Sequence, residues 1–261
     1  MSHTNDDYLN IAVEAALAAS PVIMGALDAP RIANQKGKTD LVTAADLKSE
    51  RIIQSIILSH CPSHQILAEE SGQTNHVSDY LWIIDPLDGT TNFVHGYPSF
   101  AVSIGLFHQN SPIVGVVLEM PNTRLYSAII GQGAWCEGQA IQCSRTDKLQ
   151  ESLLVTGFGY EHGAHWERNM ALFKQMTDQT QGVRRLGAAA VDLCHVASGK
   201  VDGFWEYDLK PWDTAAGILL AEEAGCVITQ IDGTPYDIYQ NNILVANPTI
   251  HSQMVKEFKQ I

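Results

Sequence analysis

Apolar positions recur along the chain at two different periods. Over residues 5–28, Tyr8, Ile11, Ala12, Ala15, Ala19, Val22, Ile23 and Ala26 follow helical spacing, and Pro21 is expected to kink that helix. A second helix is predicted from about Asp46 to His60, with Leu47, Ile52, Ile53, Ile56 and Ile57 apolar and Thr43-x-x-Asp46 reading as its start. Short apolar runs at 65–68, 80–85, 100–108, 112–119 and 124–130 predict strands. Turns of Gln-Asn-Ser-Pro and Pro-Asn join the last three into an antiparallel meander, and Gly131-Gln-Gly133 and Glu137-Gly138 are turn signals near its end.

Beyond residue 150 the pattern alternates. It predicts a strand at 152–156, a helix near 165–178, a strand at 183–186 and a helix at 188–198. A strand at 202–206, a helix from Asp213 to Ala224, strands near 226–231 and 243–246, and a helix at 249–260 follow. Helices and strands interleaved around an antiparallel block predict a layered, mixed α/β fold. The 261 residues contain no linker-like stretch or internal repeat, so one domain is expected, with an α+β half at about 1–145 and an α/β half at about 146–261.

Charge narrows the ligand. Sixteen Lys and Arg against 29 Asp and Glu give a net charge of −13, which disfavours nucleic acid and any polyanion. A phosphorylated substrate is disfavoured too, unless cations neutralise its site. The five cysteines form no C-x-x-C pair and read as buried thiols in a reducing compartment. The apolar segment 11–27 follows MSHTNDDYLN, which has two Asp and no Lys or Arg, and Glu14, Ser20 and Pro21 interrupt it. That is neither a signal peptide nor a membrane span, so a cytoplasmic protein with no membrane association is expected. The ten histidines show no zinc spacing.

The acids that end apolar runs carry the chemistry. Ile66-Leu67-Ala68 leads to Glu69-Glu70, Leu81-Trp82-Ile83-Ile84 to Asp85 with Asp88 beyond it, and Gly203-Phe204-Trp205 to Glu206, while Trp212-Asp213 opens a helical run. Ends of buried strands are where open sheets place binding sites, because the scaffold is rigid and the loops are free. Carboxylates gathered in one cleft repel one another, and hard divalent cations hold them ionised together. In Asp85-Pro-Leu-Asp88-Gly-Thr-Thr, Pro86 fixes a backbone angle and Gly89 lets the chain turn closely. The N–H groups of Thr90 and Thr91 then meet an anion if a helix begins there. A lone Asp-Gly is only a turn; here acids, glycine and threonines suit one task, holding a phosphate. The acids are not spaced as in an EF-hand, which would also need Glu where this chain has Gly96. Compared with the D-x-D-G-T of aspartyl-nucleophile phosphatases there is one residue more, which favours two metal ligands over a nucleophile.

Asp85-Pro-Leu-Asp88-Gly-Thr-Thr-Asn92 and Trp212-Asp213-Thr-Ala-Ala-Gly217 resemble the two signatures of the inositol monophosphatase family. The likeness extends through 40-DLVTAAD-46, 69-EES-71, 92-NFVHGYPSFAVSIGL-106, 185-RLGAAAVDL-193 and 222-EEAG-225, in family order over nearly the whole chain. It implies a layered α-β-α-β-α sandwich and Mg²⁺-dependent, lithium-sensitive hydrolysis of a phosphate monoester, with two to three ions per site. By this resemblance Glu69, Asp85 and the Leu87 carbonyl hold one ion, Asp85, Asp88 and Asp213 a second, and a weaker third sits near Glu69. Asp46 and Thr90 activate the attacking water, with Glu69 completing the catalytic set.

The same resemblance places the phosphate on the backbone N–H groups of Gly89 and Thr90. Glu69, Leu87, Asp88 and Asp213 also face the substrate, and the backbone from Gly187 through Ala188 to Ala189 contacts it. Ala188 stands where relatives often carry Ser or Thr, so a side-chain hydrogen bond from there is lost. Glu206 matches the position that binds inositol hydroxyls, Lys36 or Lys38 the one near the metal loop, and Glu70 reads either as ligand shell or as a solvated neighbour. Glu206 and the short chain favour inositol 1-phosphate over fructose 1,6-bisphosphate, histidinol phosphate, 3′-phosphoadenosine phosphate or NADP. A reading of another class is a regulatory scaffold that binds the transcription machinery. A homodimer is implied by resemblance alone.

Overall fold

The apolar faces anticipated from the sequence find their partners in five stacked layers. The computed structural model describes residues 3–27, 33–35, 41–75, 77–160 and 162–260. The first half holds α1 (Asn5–Leu27), the antiparallel pair β1 (Ala33–Gln35) and β2 (Leu41–Thr43), α2 (Ala44–His60), β3 (Gln65–Ala68) and β4 (Gly72–Gln73). Then come β5 (Tyr80–Asp88), α3 (Thr90–His95), β6 (Phe100–His108), β7 (Ser111–Met120), β8 (Arg124–Ile129), β9 (Ala134–Cys136) and β10 (Gln139–Ile141). Strands β3 to β10 form an eight-stranded sheet in the order β10-β9-β8-β7-β6-β5-β3-β4, antiparallel except between β3 and β5.

The second half holds β11 (Leu153–Thr156), α4 (Ala164–Gln179), β12 (Gly182–Arg184), α5 (Ala189–Ala197) and β13 (Gly203–Tyr207). It continues with α6 (Pro211–Glu223), β14 (Val227–Thr229), β15 (Asn242–Ala246) and α7 (Pro248–Phe258). Its five strands order as β12-β11-β13-β15-β14, with β11 parallel to both neighbours and β15 antiparallel to both.

Strand alternation sorts the core into layers. Along β6, Val102, Ile104 and Leu106 join the cluster under α1 and α2, while Ala101 and Phe107 face the inner helices α5 and α6. Leu193, Ala215 and Ile218 of the inner helices meet Phe204 and Val245 of the smaller sheet. On that sheet's far side, Leu172 and Met176 of α4 and Met254 and Phe258 of α7 cover Trp205 and Leu244. The order is α-β-α-β-α.

Helix α6 sits unusually close to the large sheet. A Cβ at Gly105 would lie 2.9 Å from the Ala215 Cβ, and one at Gly115 would lie 2.7 Å from the Ala216 carbonyl oxygen. Only glycine permits this approach, and a methyl against backbone oxygen would cost about 1–3 kcal/mol in overpacking. Close seating brings the first turn of α6 beside the end of β5.

The end of β5 is irregular. Asp85 pairs with Ser103 and Asp88 with Ala101, so three steps on β5 oppose two on β6, and Pro86 and Leu87 have no partner there. Residues three apart on a flat strand face opposite sides. The bulge adds the residue that returns both acids to one side.

Several expected boundaries move. The turn signals at 131–138 enclose a small hairpin of β9 and β10, and the Gly-Thr-Thr turn opens a true helix, α3. The strand expected at 226–231 spans only Val227–Thr229, and the one expected at 183–186 lies at Gly182–Arg184. Helix α1 runs through Pro21 to Leu27. It is long and apolar enough to cross a membrane, but Tyr8, Ile11, Ala15, Ala19 and Ile23 are buried against α2 and the large sheet, as in a core helix.

Candidate active site

Local signals position each acid. Asp46 is the third residue of α2: the Thr43 amide donates to Asp46 Oδ2 at 2.9 Å and the Ala45 amide donates to Thr43 Oγ1 at 3.1 Å, a reciprocal cap. Asp213 is the third residue of α6, and the Lys210 amide donates to its Oδ2 at 2.6 Å, with Pro211 opening the helix. The same position in a capping turn therefore aims two different acids.

On the β5 bulge, the Leu87 amide donates to Asp85 Oδ1 at 3.0 Å. Asp88 Oδ2 accepts from the Ala190 amide at 2.8 Å, in the first turn of α5. Gly89 has φ +82°, and a Cβ there would lie 2.9 Å from the Ser99 carbonyl oxygen and 3.1 Å from the Ala188 Cβ. Both the left-handed backbone and the close approach demand glycine. Thr90 Oγ1 lies 2.9 Å from Asp46 Oδ1 and 3.0 Å from the Leu87 carbonyl oxygen, and so has two acceptors for its single proton.

One cleft of about 1040 Å³ gathers these groups. Its walls include Glu69, Asp85, Leu87, Asp88, Gly89, Thr90, Gly187, Ala188, Ala189, Glu206 and Asp213. Asp46 is fully buried behind Thr90 and reaches the cleft through that hydroxyl. Glu70 is not on the wall; its amide donates to Glu50 Oε2 at 2.9 Å. Lys36 and Lys38 lie outside the described residues.

The cleft is electrostatically unfavourable as it stands. Among the described residues, six acids, Glu69, Asp85, Asp88, Glu206, Asp208 and Asp213, line it with Arg185, Lys210 and two histidines, His162 and His165. Burial, then the charges of Glu69, Asp88 and Asp213, hold the Asp85 carboxyl well above the usual carboxylate range. Burial pushes Asp88 up to about 7 against the pull of the Ala190 amide. Burial also raises Asp46, opposed by the hydrogen bonds from Thr43 and Thr90. Among the described residues, no three His, Cys, Asp or Glu side chains already form a closed cation cluster. The donors nevertheless suit a hard divalent cation: they are carboxylate oxygens plus a carbonyl, and a cation would offset the burial and repulsion that raise the Asp85 carboxyl.

Residues 4–261 match the sequence profile of the inositol monophosphatase family. The chain belongs to that family. It is 48% identical over 255 residues to "Phosphatase IMPL1, chloroplastic" of Arabidopsis thaliana, covering 95% of this chain and 69% of that protein. To the "Putative Nus factor SuhB" of Neisseria meningitidis serogroup B it is 38% identical, over 95% of this chain and 97% of that protein. The solved inositol monophosphatase of Anabaena (Nostoc) sp. PCC 7120 superposes with a TM-score of 0.87 at 44% identity, covering 98% of this chain and 96% of that one. Members of the inositol monophosphatase family are phosphatases, and this chain is one of these enzymes.

In and around this cleft the structure adds groups that the sequence did not single out. Arg185 lines the cleft and is the cation that opposes the upward shift of buried Glu206. His165 Nδ1 meets Asp208 Oδ1 at 2.7 Å on the rim. Asn92 Nδ2 donates to the Ser99 and Leu186 carbonyls, each at 2.7 Å, tying α3 to the loop before α5. Asp192, 1% exposed, has no hydrogen-bond partner on either oxygen among the described residues, and burial with the Glu206 and Asp88 charges raises its carboxyl well above the usual range. Its one sequence signal was an acid inside the apolar run Ala-Ala-Val-Asp-Leu.

Proposed function

We propose that this phosphatase hydrolyses inositol 1-phosphate to inositol and phosphate, using Mg²⁺. The observation that carries the reading is the convergence of Glu69, Asp85, Asp88 and Asp213 on one cleft beside the Thr90–Asp46 pair. Those four carboxylates and the Leu87 carbonyl are the groups that would hold the ions. Two to three Mg²⁺, when bound, neutralise phosphate charge, acidify water and stabilise the departing alkoxide.

The chain's own groups do the rest. Thr90 passes its proton to Asp46 and takes one from water, and burial makes the Asp46 carboxylate a stronger base for that task. The amides of Gly89 and Thr90 receive phosphate oxygens. Glu206, with the backbone of Gly187 to Ala189, holds the hydroxyls of the leaving group. Positioning of this kind contributes about 7–11 kcal/mol in well-oriented reactions.

Fructose 1,6-bisphosphate, histidinol phosphate, 3′-phosphoadenosine phosphate and NADP are the substrate alternatives. Phosphate release from this panel, with Mg²⁺ and with EDTA, decides among them. Release led by another member moves the substrate and keeps the chemistry; no release from any rejects the reading. The likeness to a relative named a Nus factor favours one further reading, a scaffold in the transcription machinery. The net charge of −13 argues for a protein partner there over direct nucleic acid contact. Cellular function retained by Asp85→Asn would support the scaffold. A homodimer is supported by the family resemblance, and sedimentation tests the assembly.

A further inference from the structure

Two of the five cysteines meet in space. Cys143 follows β10 in the segment that crosses between the sheets, and Cys226 follows the end of α6. The Cys143 amide donates to the Ala224 carbonyl oxygen at 2.9 Å, laying the crossover segment against the turn after α6. Cys143 Sγ lies 3.7 Å from the position a Cβ would take at Gly225. Gly225 directly precedes Cys226, so the two thiols fall within electrostatic reach of each other.

The pair is asymmetric. Cys143 borders a surface cavity of about 430 Å³, whereas Cys226 belongs to the buried core at 9% exposure. The neighbouring Cys226 thiol draws the Cys143 thiol down to about 7, and the Cys143 thiol together with burial pushes Cys226 up. Burial raises Cys61, Cys136 and Cys194, so Cys143 is the one thiol drawn towards thiolate at neutral pH. The sequence reading of five buried thiols is corrected in part: Cys61, Cys194 and Cys226 are buried, whereas Cys136 and Cys143 are partly exposed.

We propose that Cys143 and Cys226 form a redox modification site, at which Cys143 attacks a small-molecule disulfide and Cys226 resolves the adduct. The Cys143 thiolate attacks one sulfur of oxidised glutathione; that S–S bond breaks, a mixed disulfide forms, and one glutathione thiolate leaves. Cys226 then loses its proton and attacks the Cys143 sulfur, forming the Cys143–Cys226 bond and releasing the second glutathione. Two protein thiols are oxidised and one disulfide is reduced. The new bond clips the crossover segment to the end of α6 and closes a loop containing β11, α4, β12, α5, β13 and α6.

The test uses the reduced full-length protein, equilibrated with mixtures of reduced and oxidised glutathione. Free thiols are blocked with N-ethylmaleimide at each point and peptides are mapped by mass. A Cys143–Cys226 cross-link should appear in the wild type before any other cysteine is modified. Tm should then rise by about 5–10 °C, because a long loop is closed in the unfolded chain. Cys226→Ser should carry one glutathione on Cys143. The proposal is overturned if Cys143 and Cys226 both remain maleimide-labelled in excess oxidised glutathione. It is equally overturned if Cys136 reacts first or Cys143 cross-links only to another chain. Should Cys226→Ser fail to fold, the wild-type map decides alone.

Discussion

Thr90 Oγ1 and Asp46 Oδ1 lie 2.9 Å apart, joining the first turns of α3 and α2 across 44 residues of sequence. Asp46 Oδ2 is held by the Thr43 amide and hydroxyl, so only Oδ1 is directed at the cleft. The carboxylate is thus oriented by its own helix cap before any substrate arrives. If Thr90 relays a proton to it, Thr90→Ala should lower kcat by about 10²–10⁴-fold. Mg²⁺ affinity from calorimetry should stay near wild type, and Thr90→Ser should restore most of the rate. An unchanged kcat in Thr90→Ala would remove the residue from proton transfer.

Asp85 is the acid that repulsion raises on three sides. Asp85→Asn should reduce turnover by at least about 10³-fold at saturating Mg²⁺. Stability should move the other way in EDTA-treated protein. A carboxyl whose folded-state pKa is raised contributes fully below its unfolded value, near 3.9, and that contribution is lost as pH rises. Asp85→Asn should therefore have the higher Tm at pH 8, with the gap closing towards pH 4. Thermal scans across that range check the sign.

A second charged cluster lies away from the cleft and has the opposite sign. Glu119 accepts from Tyr126 at 3.2 Å and Arg124 at 3.4 Å, while its other oxygen meets His195 Nε2 at 3.3 Å. Burial works against its charge, but the His195 hydrogen bond and the charges of His195, Lys200 and Arg124 prevail and pull it down to about 2. Its contribution is present above the unfolded value, near 4.3, and fades as pH falls towards 2. Glu119→Gln should cost about 1–3 kcal/mol at pH 7 in urea titrations, with the difference narrowing between pH 5 and pH 3. A gap independent of pH would disprove the charge-based account.

Gly157 lies directly against Glu206, where a methyl group would overlap the carboxylate. Gly157→Ala should displace Glu206 and raise KM for inositol 1-phosphate about 5- to 30-fold, with a smaller change in kcat. Hydrolysis of p-nitrophenyl phosphate, which offers no sugar hydroxyls, should be nearly unaffected. Equal losses on both substrates would mean that Glu206 does not read the leaving group.

Legibility followed sequence separation. Thr43-x-x-Asp46 and Asp85-Pro-Leu-Asp88-Gly-Thr could be read directly, because caps and strand ends are written over a few residues. A layered, mixed α/β fold followed from the two periods of apolar residues, and the α-β-α-β-α order from the family resemblance. The β9–β10 hairpin escaped because three-residue strands are too short to show alternation among turn residues. The His165–Asp208 contact spans 43 residues, and nothing near either residue marks the other. Asp192 escaped because burial, which gives it its character, is not visible in an apolar helix pattern. Cys143 and Cys226 are brought together only by the crossover segment, so spacing rules aimed at C-x-x-C pass over them.

The bulge in β5 also changes what mutation can reach. Strand carbonyls normally point to a neighbouring strand, but Pro86 and Leu87 have no partner on β6, and their oxygens turn elsewhere. Pro86 fastens α2 by accepting from Ser49 Oγ at 2.8 Å, and Leu87 offers its oxygen to Thr90 and the cleft. Each carboxylate of the cleft can be erased by one codon change. The Leu87 oxygen cannot, because every amino acid supplies the same carbonyl. Only altering the chain length can withdraw it. Deleting one of the two bulged residues would leave both aspartates on a common face and take away the backbone donor alone. The strand thus presents a cleft oxygen encoded by the number of its residues, which is proof against substitution and exposed to insertion and deletion.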